Sequence, residues 1–381
     1  MYYGKPLFPA FLVAVLLVFG PLDGAELELE TGFDGSNPRT ADRVTREAAD
    51  RWRVRPFNEQ GSNDAYWFRL NVRVVNSSER TRDAELLVEW PVLERQPDYP
   101  YDYYFYGEKG DWRPVYASLE GTTARLTVPC RPGITYIGFY PRYSYAHYRE
   151  LIARLAGTSD LQTRVEGKSF QGREIHSLRM GADGGTRVLI TARNHPYETG
   201  GSYIVEEMIG WLRSGQPEAA RLLEDCEIFF LPMMNPDGVF TGCNQRTRPA
   251  GGVNMSYGAD SDDPAVTALL EMVERVRPSL WADIHSWPHE GDDGMWCTHQ
   301  WVADELLERM PDRSFNDYVW NVSFVRERGT AENHLWQWLI RTPGSGGVSL
   351  SISWYRRGEE DLGVIARRML QALCEAAGNA P

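Results

Sequence analysis

VLITARNHPYETG, Val188–Gly200, is the stretch whose reading decides the fold. Its opening, Val188–Ile190, is a short apolar run of the kind that forms a buried strand. The run ends in a polar corner, Arg193–Gly200, which carries His195 and Glu198 three residues apart. A histidine and a glutamate so spaced, just past a strand end, can turn toward one point. Imidazole nitrogen and carboxylate oxygen together suit a divalent metal, zinc in particular. A catalytic zinc commonly has three protein ligands and an open position for water, so two local ligands require a distant third. Without that third ligand, the same pair reads as a strand-end turn with a surface ion pair.

On either side of this stretch the chain alternates short apolar runs with helical patterns. Ile228–Leu231 and Leu280–Ile284 repeat the strand signal, while Ser202–Leu212 and Ala265–Val276 carry apolar residues at i, i+3 or i+4. Such alternation predicts an α/β domain with a largely parallel sheet. In open α/β sheets, sites form beyond the carboxyl ends of the strands. Three polar corners fall there: His195 with Glu198, then Asn235-Pro236-Asp237-Gly238, then Asp283-Ile284-His285. His285 closes its apolar run and is the natural third ligand. Asp283 is placed to take the other ring N–H of a metal-bound histidine. His289 and His299 read as loop residues.

Before this domain the pattern changes. Tyr66–Val74, Ala84–Trp90, Ala124–Val128 and Thr135–Phe139 read as short strands broken by turn residues, which predicts a small all-β sandwich over residues 26–142. Its aromatic-rich stretch, Tyr99–Trp112, is expected to pack against the sheet and the next domain. Tyr143–Leu155 is apolar at helical spacing and leads into the second domain, residues 143–378. At the start, Lys5 precedes an apolar run from Leu7 to Phe19 and then Gly20-Pro21, the form of an export signal over residues 1–25. A periplasmic or secreted protein without a stable membrane span after cleavage is expected, an uncleaved anchor being the alternative.

The 381 residues carry a net charge of −13, which argues against sequence-independent nucleic-acid binding. The five cysteines, Cys130, Cys226, Cys243, Cys297 and Cys374, lack CxxC spacing, so they form no metal knuckle. An odd count in an exported chain leaves at least one unpaired.

With these pieces in place, residues 143–378 resemble the zinc carboxypeptidase family, in particular its cytosolic-carboxypeptidase-like, deglutamylase-type branch. The resemblance rests on motifs in order: Gly167-Lys168-Ser169 with Gly172-Arg173, Ala192 to Glu198, Pro232 to Val239, and Asp283-Ile284-His285. The preceding β domain, ending in Tyr140-Pro141-Arg142-Tyr143-Ser144-Tyr145, is similar to that branch's N-terminal domain. The resemblance implies a mixed, largely parallel sheet flanked by helices, one Zn2+ per chain on His195, Glu198 and His285, and a peptide or peptide-like substrate. Asn244 and Arg246 match the family's Asn and Arg after NPDG, with one inserted residue; the Arg polarises the substrate carbonyl. Where the family has an Asn-Arg pair for the substrate carboxylate, this chain has Ser256 and Tyr257. Where it has the glutamate that deprotonates water, on a strand here spanning Gly347–Tyr355, this chain has Ser353, a side chain that does not titrate near neutrality. Glu290, Glu332, Glu359 and Glu360 are the acids that could replace it.

The resulting expectation is an exported zinc hydrolase of the carboxypeptidase type, cutting a peptide or amide bond with a non-standard base and carboxylate site. The alternatives are a zinc amidase or deacylase acting on another substrate, and a silent zinc-binding protein that holds peptide or glycan.

Overall fold

The computed structural model describes residues 26–37, 43–56, 69–90, 101–243, 263–287, 293–310, 320–324 and 334–381. The first domain has strands β1 (Leu27–Glu30), β2 (Val44–Ala48), β3 (Arg51–Val54), β4 (Asn71–Asn76), β5 (Arg82–Glu89), β6 (Tyr103–Gly107), β7 (Arg113–Tyr116), β8 (Ser118–Glu120), β9 (Thr123–Cys130) and β10 (Gly133–Gly138). They form two sheets, ordered β1-β4-β10-β6-β7 and β2-β3-β5-β9-β8. Strand β9 shows why: Ala124, Leu126, Val128 and Cys130 point inward, and the residues between them point to solvent, the two-residue period of a half-buried strand. Val72 and Val74 of β4 join Leu86 and Val88 of β5 in the same core. The described part of the aromatic stretch packs as expected, with Tyr101, Tyr103, Tyr104 and Phe105 buried.

The second domain opens with α1 (Tyr145–Leu155), capped reciprocally by Ser144 and the His147 ring. There follow β11 (Gln162–Lys168), β12 (Glu174–Gly181), β13 (Thr186–Ala192), α2 (Thr199–Leu212), α3 (Pro217–Asp225), β14 (Cys226–Leu231), α4 (Pro236–Thr241), α5 (Pro264–Val276), β15 (Leu280–Trp287), β16 (Asp293–Cys297), α6 (Gln300–Arg309), β17 (Trp320–Phe324), α7 (His334–Arg341), β18 (Gly346–Ser353) and α8 (Glu359–Gly378). The strands make one mixed sheet, ordered β11-β12-β14-β13-β15-β18-β16-β17. Its centre, β14-β13-β15-β18, is parallel, and β11 and β12 are antiparallel additions. The central strands are buried on both faces: Val188 and Ile190 of β13 share a core with α2 and α8, while Leu189 packs with α5. This double coverage explains the continuous apolar runs.

Two strand ends near the site differ from the sequence reading, one being β18, which stops at Ser353 rather than running to Tyr355. Strand β15 does not end at His285 but runs on to Trp287, because the ladder to β18 continues from His285 opposite Ser351 to Trp287 opposite Ser353. His285, the expected third ligand, therefore projects from inside a strand. All five cysteines are buried free thiols. Among the described residues no helix is long and apolar enough to cross a membrane, and the expected export signal at 1–25 lies outside them.

The two domains share a seam. Trp112 donates its indole N–H to the Tyr203 hydroxyl at 2.9 Å, and that hydroxyl donates to the Arg142 carbonyl at 2.9 Å. Lys109 pairs with Glu206 at 2.6 Å. Tyr103 and Phe105 lie against Tyr355 and Trp354, the two residues that follow β18.

Candidate metal centre

Beyond the end of β13 the chain turns sharply at Arg193, whose φ of 61° lies in the left-handed region that non-glycine residues seldom adopt. Hydrogen bonds hold it there. The buried guanidinium donates from Nε and Nη2 to the Pro196 carbonyl at 3.2 and 2.6 Å, and from Nη1 to the Tyr143 carbonyl at 3.1 Å and Ser202 Oγ at 2.8 Å. The loop from Asn194 to Glu198 is thus wrapped around an arginine. Burial lowers that guanidinium to a pKa of about 10, so it stays charged at neutral pH. The neighbouring corner is stitched to it, with Asn235 N donating to the Arg193 carbonyl at 3.1 Å and Asn235 Oδ1 capping α4 at Gly238 N, 2.9 Å. Asp237 accepts from Ser169 Oγ at 2.6 Å, Gln171 N at 2.9 Å and Arg173 Nη1 at 2.7 Å, so the Gly167–Arg173 motif braces the NPDG turn.

Glu198 sits at the start of α2. Helix and strand meet closely here: a Cβ at Gly200 would lie 2.7 Å from Ser286 Cβ, so the helix can abut β15 only without a side chain at that position. The closeness aims Glu198 at His285. Glu198 Oε2 lies 2.7 Å from His285 Nδ1, and Oε1 lies 2.9 Å from His195 Nδ1. One ligand atom from each of the three residues falls within 4.8 Å of the others. On the far side of the ring, His285 Nε2 is 2.9 Å from Asp283 Oδ2, and Asp283 Oδ1 accepts from Thr191 Oγ1 at 2.8 Å. The Trp281 indole N–H donates to Thr191 Oγ1 at 3.0 Å. A proton on Nε2 shared with Asp283 leaves Nδ1 as the lone-pair nitrogen facing Glu198, the tautomer a metal requires.

In the ion-free cradle the flanking carboxylates favour a proton on both ring nitrogens of His285, and a bound metal would displace the one on Nδ1. Burial alone would raise the Glu198 carboxyl, but the charges of His285 and His195 outweigh it and hold the group down at about 2. Burial would lower His285, yet Glu198 and Asp283 drive it well above the ordinary imidazole range. A fully buried carboxylate attracting two imidazoles is a strong local field for a cation. Two imidazole nitrogens and one carboxylate form the donor set of a three-ligand zinc site, so the residues present fit zinc.

Ser353 is the last residue of β18 and fully buried, and its Oγ accepts from Tyr355 N at 3.2 Å. The strand end around it is staked by an ion pair. Arg357 donates Nη1 and Nη2 to the two Asp293 oxygens at 2.8 and 2.9 Å, and Nη1 also reaches the Ser353 carbonyl at 2.9 Å. Asp293 Oδ1 accepts from Ser353 N at 2.9 Å. Both charged groups are completely buried. Asn244, Arg246, Ser256 and Tyr257 lie outside the described residues, as do Glu290 and Glu332. Of the other acids considered, Glu359 is occupied at the seam, where it accepts from Gly110 N at 3.1 Å, and Glu360 is exposed in the first turn of α8.

Arg193, Thr191, Trp281 and the Asp293–Arg357 pair were not identified from the sequence. Thr191 and Trp281 could have been found by pairing β13 with β15 and following side-chain alternation, because Thr191 lies opposite Asp283. For Arg193 and Asp293–Arg357 no local signal exists.

Fold and site together define a metallohydrolase scaffold, with a two-histidine, one-carboxylate cradle at the carboxyl edge of its parallel strands. The zinc carboxypeptidase profile matches residues 148–286, an interval that contains all three cradle residues. Residues 148–286 of this chain therefore carry a zinc carboxypeptidase-like domain. The chain is 26% identical over 300 residues to an uncharacterised protein of Zymomonas mobilis, covering 75% of this chain and 72% of that one. It is 28% identical over 211 residues to cytosolic carboxypeptidase 2 of Danio rerio, covering 50% of this chain but only 29% of that protein's length. Among solved structures, a metallo-carboxypeptidase from Burkholderia cenocepacia superposes with a TM-score of 0.76 at 18% identity, over 93% of this chain and 99% of the other. One from Pseudomonas aeruginosa superposes at 0.74 and 16% identity, over 93% and 100%.

Proposed function

We propose that this protein is an exported zinc hydrolase of the carboxypeptidase type that cleaves a peptide or amide bond. The observation that carries the reading is the convergence of His195, Glu198 and His285 within 4.8 Å, with Asp283 behind His285. One zinc per chain, when bound, supplies a Lewis acid and a water acidified toward neutral pH. The residues around it do the rest. His195, Glu198 and His285 hold the ion, and Asp283 keeps His285 in the correct tautomer. Arg246 stabilises the negative charge that develops on the substrate oxygen, where a fixed guanidinium is worth far more than in water. Asn244, Ser256 and Tyr257 bind the substrate; with hydroxyls in place of a guanidinium, their grip on a terminal carboxylate is weaker. Ser353 cannot take a proton from water as a glutamate would, so the reaction uses a base from another part of the chain.

One observation favours a second reading, a silent protein that binds peptide or glycan with the same cleft: Ser353 is buried and its hydroxyl oxygen is engaged by Tyr355 N. Metal analysis of the purified chain, beside digestion of a mixed peptide library read by mass spectrometry, separates the two. The hydrolase predicts about one zinc per chain and trimming of C-terminal residues that disappears in His195→Ala. Zinc without turnover, and turnover appearing only in Ser353→Glu, would establish the binding protein. Internal cleavage or deacylation instead of trimming would indicate an amidase. N-terminal sequencing of the mature protein tests export, with a start near Ala25 or Glu26 expected.

A further inference from the structure

The sheet carries a second concavity at the opposite end from the metal centre. It lies at the amino ends of β13 and β14, beside β11, β12 and the carboxyl end of α5, and it has a volume of about 280 Å3. The run from Arg187 to Ala192 in β13 separates it from the metal loop by roughly 17 Å, at about 3.3 Å per residue. We propose that this cleft is a binding site for an oxyanion group, carboxylate or phosphate, independent of the metal centre.

The argument begins with how the charges are layered. Two carboxylates lie beneath the surface, the Glu166 side chain 3% exposed and that of Glu227 10%. Each is bridged by two arginines. Arg275 meets Glu166 at 2.6 Å and Arg164 meets it at 3.5 Å, while Arg179 and Arg187 meet Glu227 at 2.7 and 3.0 Å. The guanidiniums form the outer layer: Arg164, Arg187 and Arg275 are 62%, 42% and 38% exposed. An approaching anion therefore meets cations first, and four guanidiniums stand over two carboxylates. Asp183 at the rim, 92% exposed, pairs with Arg179 and reduces the excess without entering the lining. Arg187 Nη1 also caps the Val276 carbonyl at the end of α5, at 3.1 Å.

The buried carboxylates fix the arginines before any ligand arrives, which removes part of the ordering entropy that a mobile cationic patch would lose on binding. Arginine forks are suited to paired oxygens of carboxylate or phosphate. Phe229 and Val276 give the cleft an apolar side, which strengthens the local field and accommodates a carbon skeleton.

The test is isothermal titration of the zinc-loaded full chain at low salt with three probes: inorganic phosphate, citrate, and an oligo-aspartate peptide blocked at both ends. Saturable binding of at least one probe is expected, falling tenfold or more in Arg164→Gln combined with Arg187→Gln, and unchanged in His195→Ala. Preference for phosphate or citrate identifies a free small anion, and preference for the peptide identifies an acidic segment; both support the site. If the glutamine variant does not fold, Arg164→Lys with Arg187→Lys keeps the charge and removes the fork, and a severalfold loss is expected. Absence of saturable binding by all three probes would overturn the proposal. So would binding that survives the arginine changes and vanishes in His195→Ala, since the anion would then sit on the metal.

Discussion

Replacing Asp283 tests whether the support behind His285 tunes the metal centre. The carboxylate is 1% exposed and meets His285 Nε2 at 2.9 Å and Thr191 Oγ1 at 2.8 Å. Asp283→Asn is nearly isosteric and can keep an oxygen toward the ring, so it removes the charge and little else. Asp283→Ala removes the acceptor as well and leaves His285 free to choose the other tautomer. Losing such a partner typically lowers metal affinity 10- to 100-fold, about 1.4 to 2.7 kcal/mol. Alanine is expected at the upper end of that range and asparagine near the lower. The assay is competition for zinc against a chromophoric chelator, with cobalt absorption spectra to check that the coordination stays four-fold. Thermal unfolding of the metal-free proteins separates a folding defect from a metal defect. Zinc affinity within twofold of wild type in both variants would refute the idea that Asp283 sets the tautomer of His285.

Two further outcomes follow from the structure. Asp293→Asn removes the carboxylate that holds Arg357 by two hydrogen bonds inside a fully buried pair, and breaking such a pair by one partner costs about 3 to 5 kcal/mol; urea unfolding should show it, and a change below about 1 kcal/mol would mean the pair is not a structural stake. His147 is held down at about 4, by burial first and then by Arg142 and Lys109, so the unfolded chain takes up its proton before the folded one does. The folded state is therefore at full strength above about pH 6.5 and loses about 2.5 kcal/mol by pH 4.5, at about 1.36 kcal/mol per pH unit; a His147→Gln variant should lose that much less between pH 7.5 and 4.5 in denaturant titrations, and parallel losses in both proteins would exclude the histidine as the source.

The parts of this protein that were legible in its sequence are those written in short periods. The alternation in β9 and the apolar runs of β13, β14 and β15 follow directly from burial on one face or two. The three cradle residues could be singled out because His195 and Glu198 share one turn and His285 closes a run of the same kind. The end of β15 could not be read, since it is set by a ladder to β18, whose residues lie more than sixty positions away. Arg193 and Arg357 look like any surface arginines in sequence, yet both are buried. Their roles are defined by acceptors brought from distant segments, the Tyr143 carbonyl for one and Asp293 for the other. Buried polar groups are specified by their partners, and partners separated by fifty or more residues leave no periodic trace.

The seam between the domains bears on how the protein may be divided. Trp354 and Tyr355 are 1% and 2% exposed, and Phe105 and Tyr103 of the sandwich lie against them. A fragment beginning at residue 143 would present both rings to water, together with the partly uncovered Tyr203. Each large aromatic buries about 150 to 250 Å2, at about 25 cal/mol per Å2, so several kcal/mol of folding free energy would leave with the sandwich. These two rings follow Ser353 directly, so the strand end at Ser353 rests on a wall borrowed from another part of the chain. Shuffling a foreign sandwich onto this α/β half would therefore be a change to the end of β18, not an exchange of a detachable module.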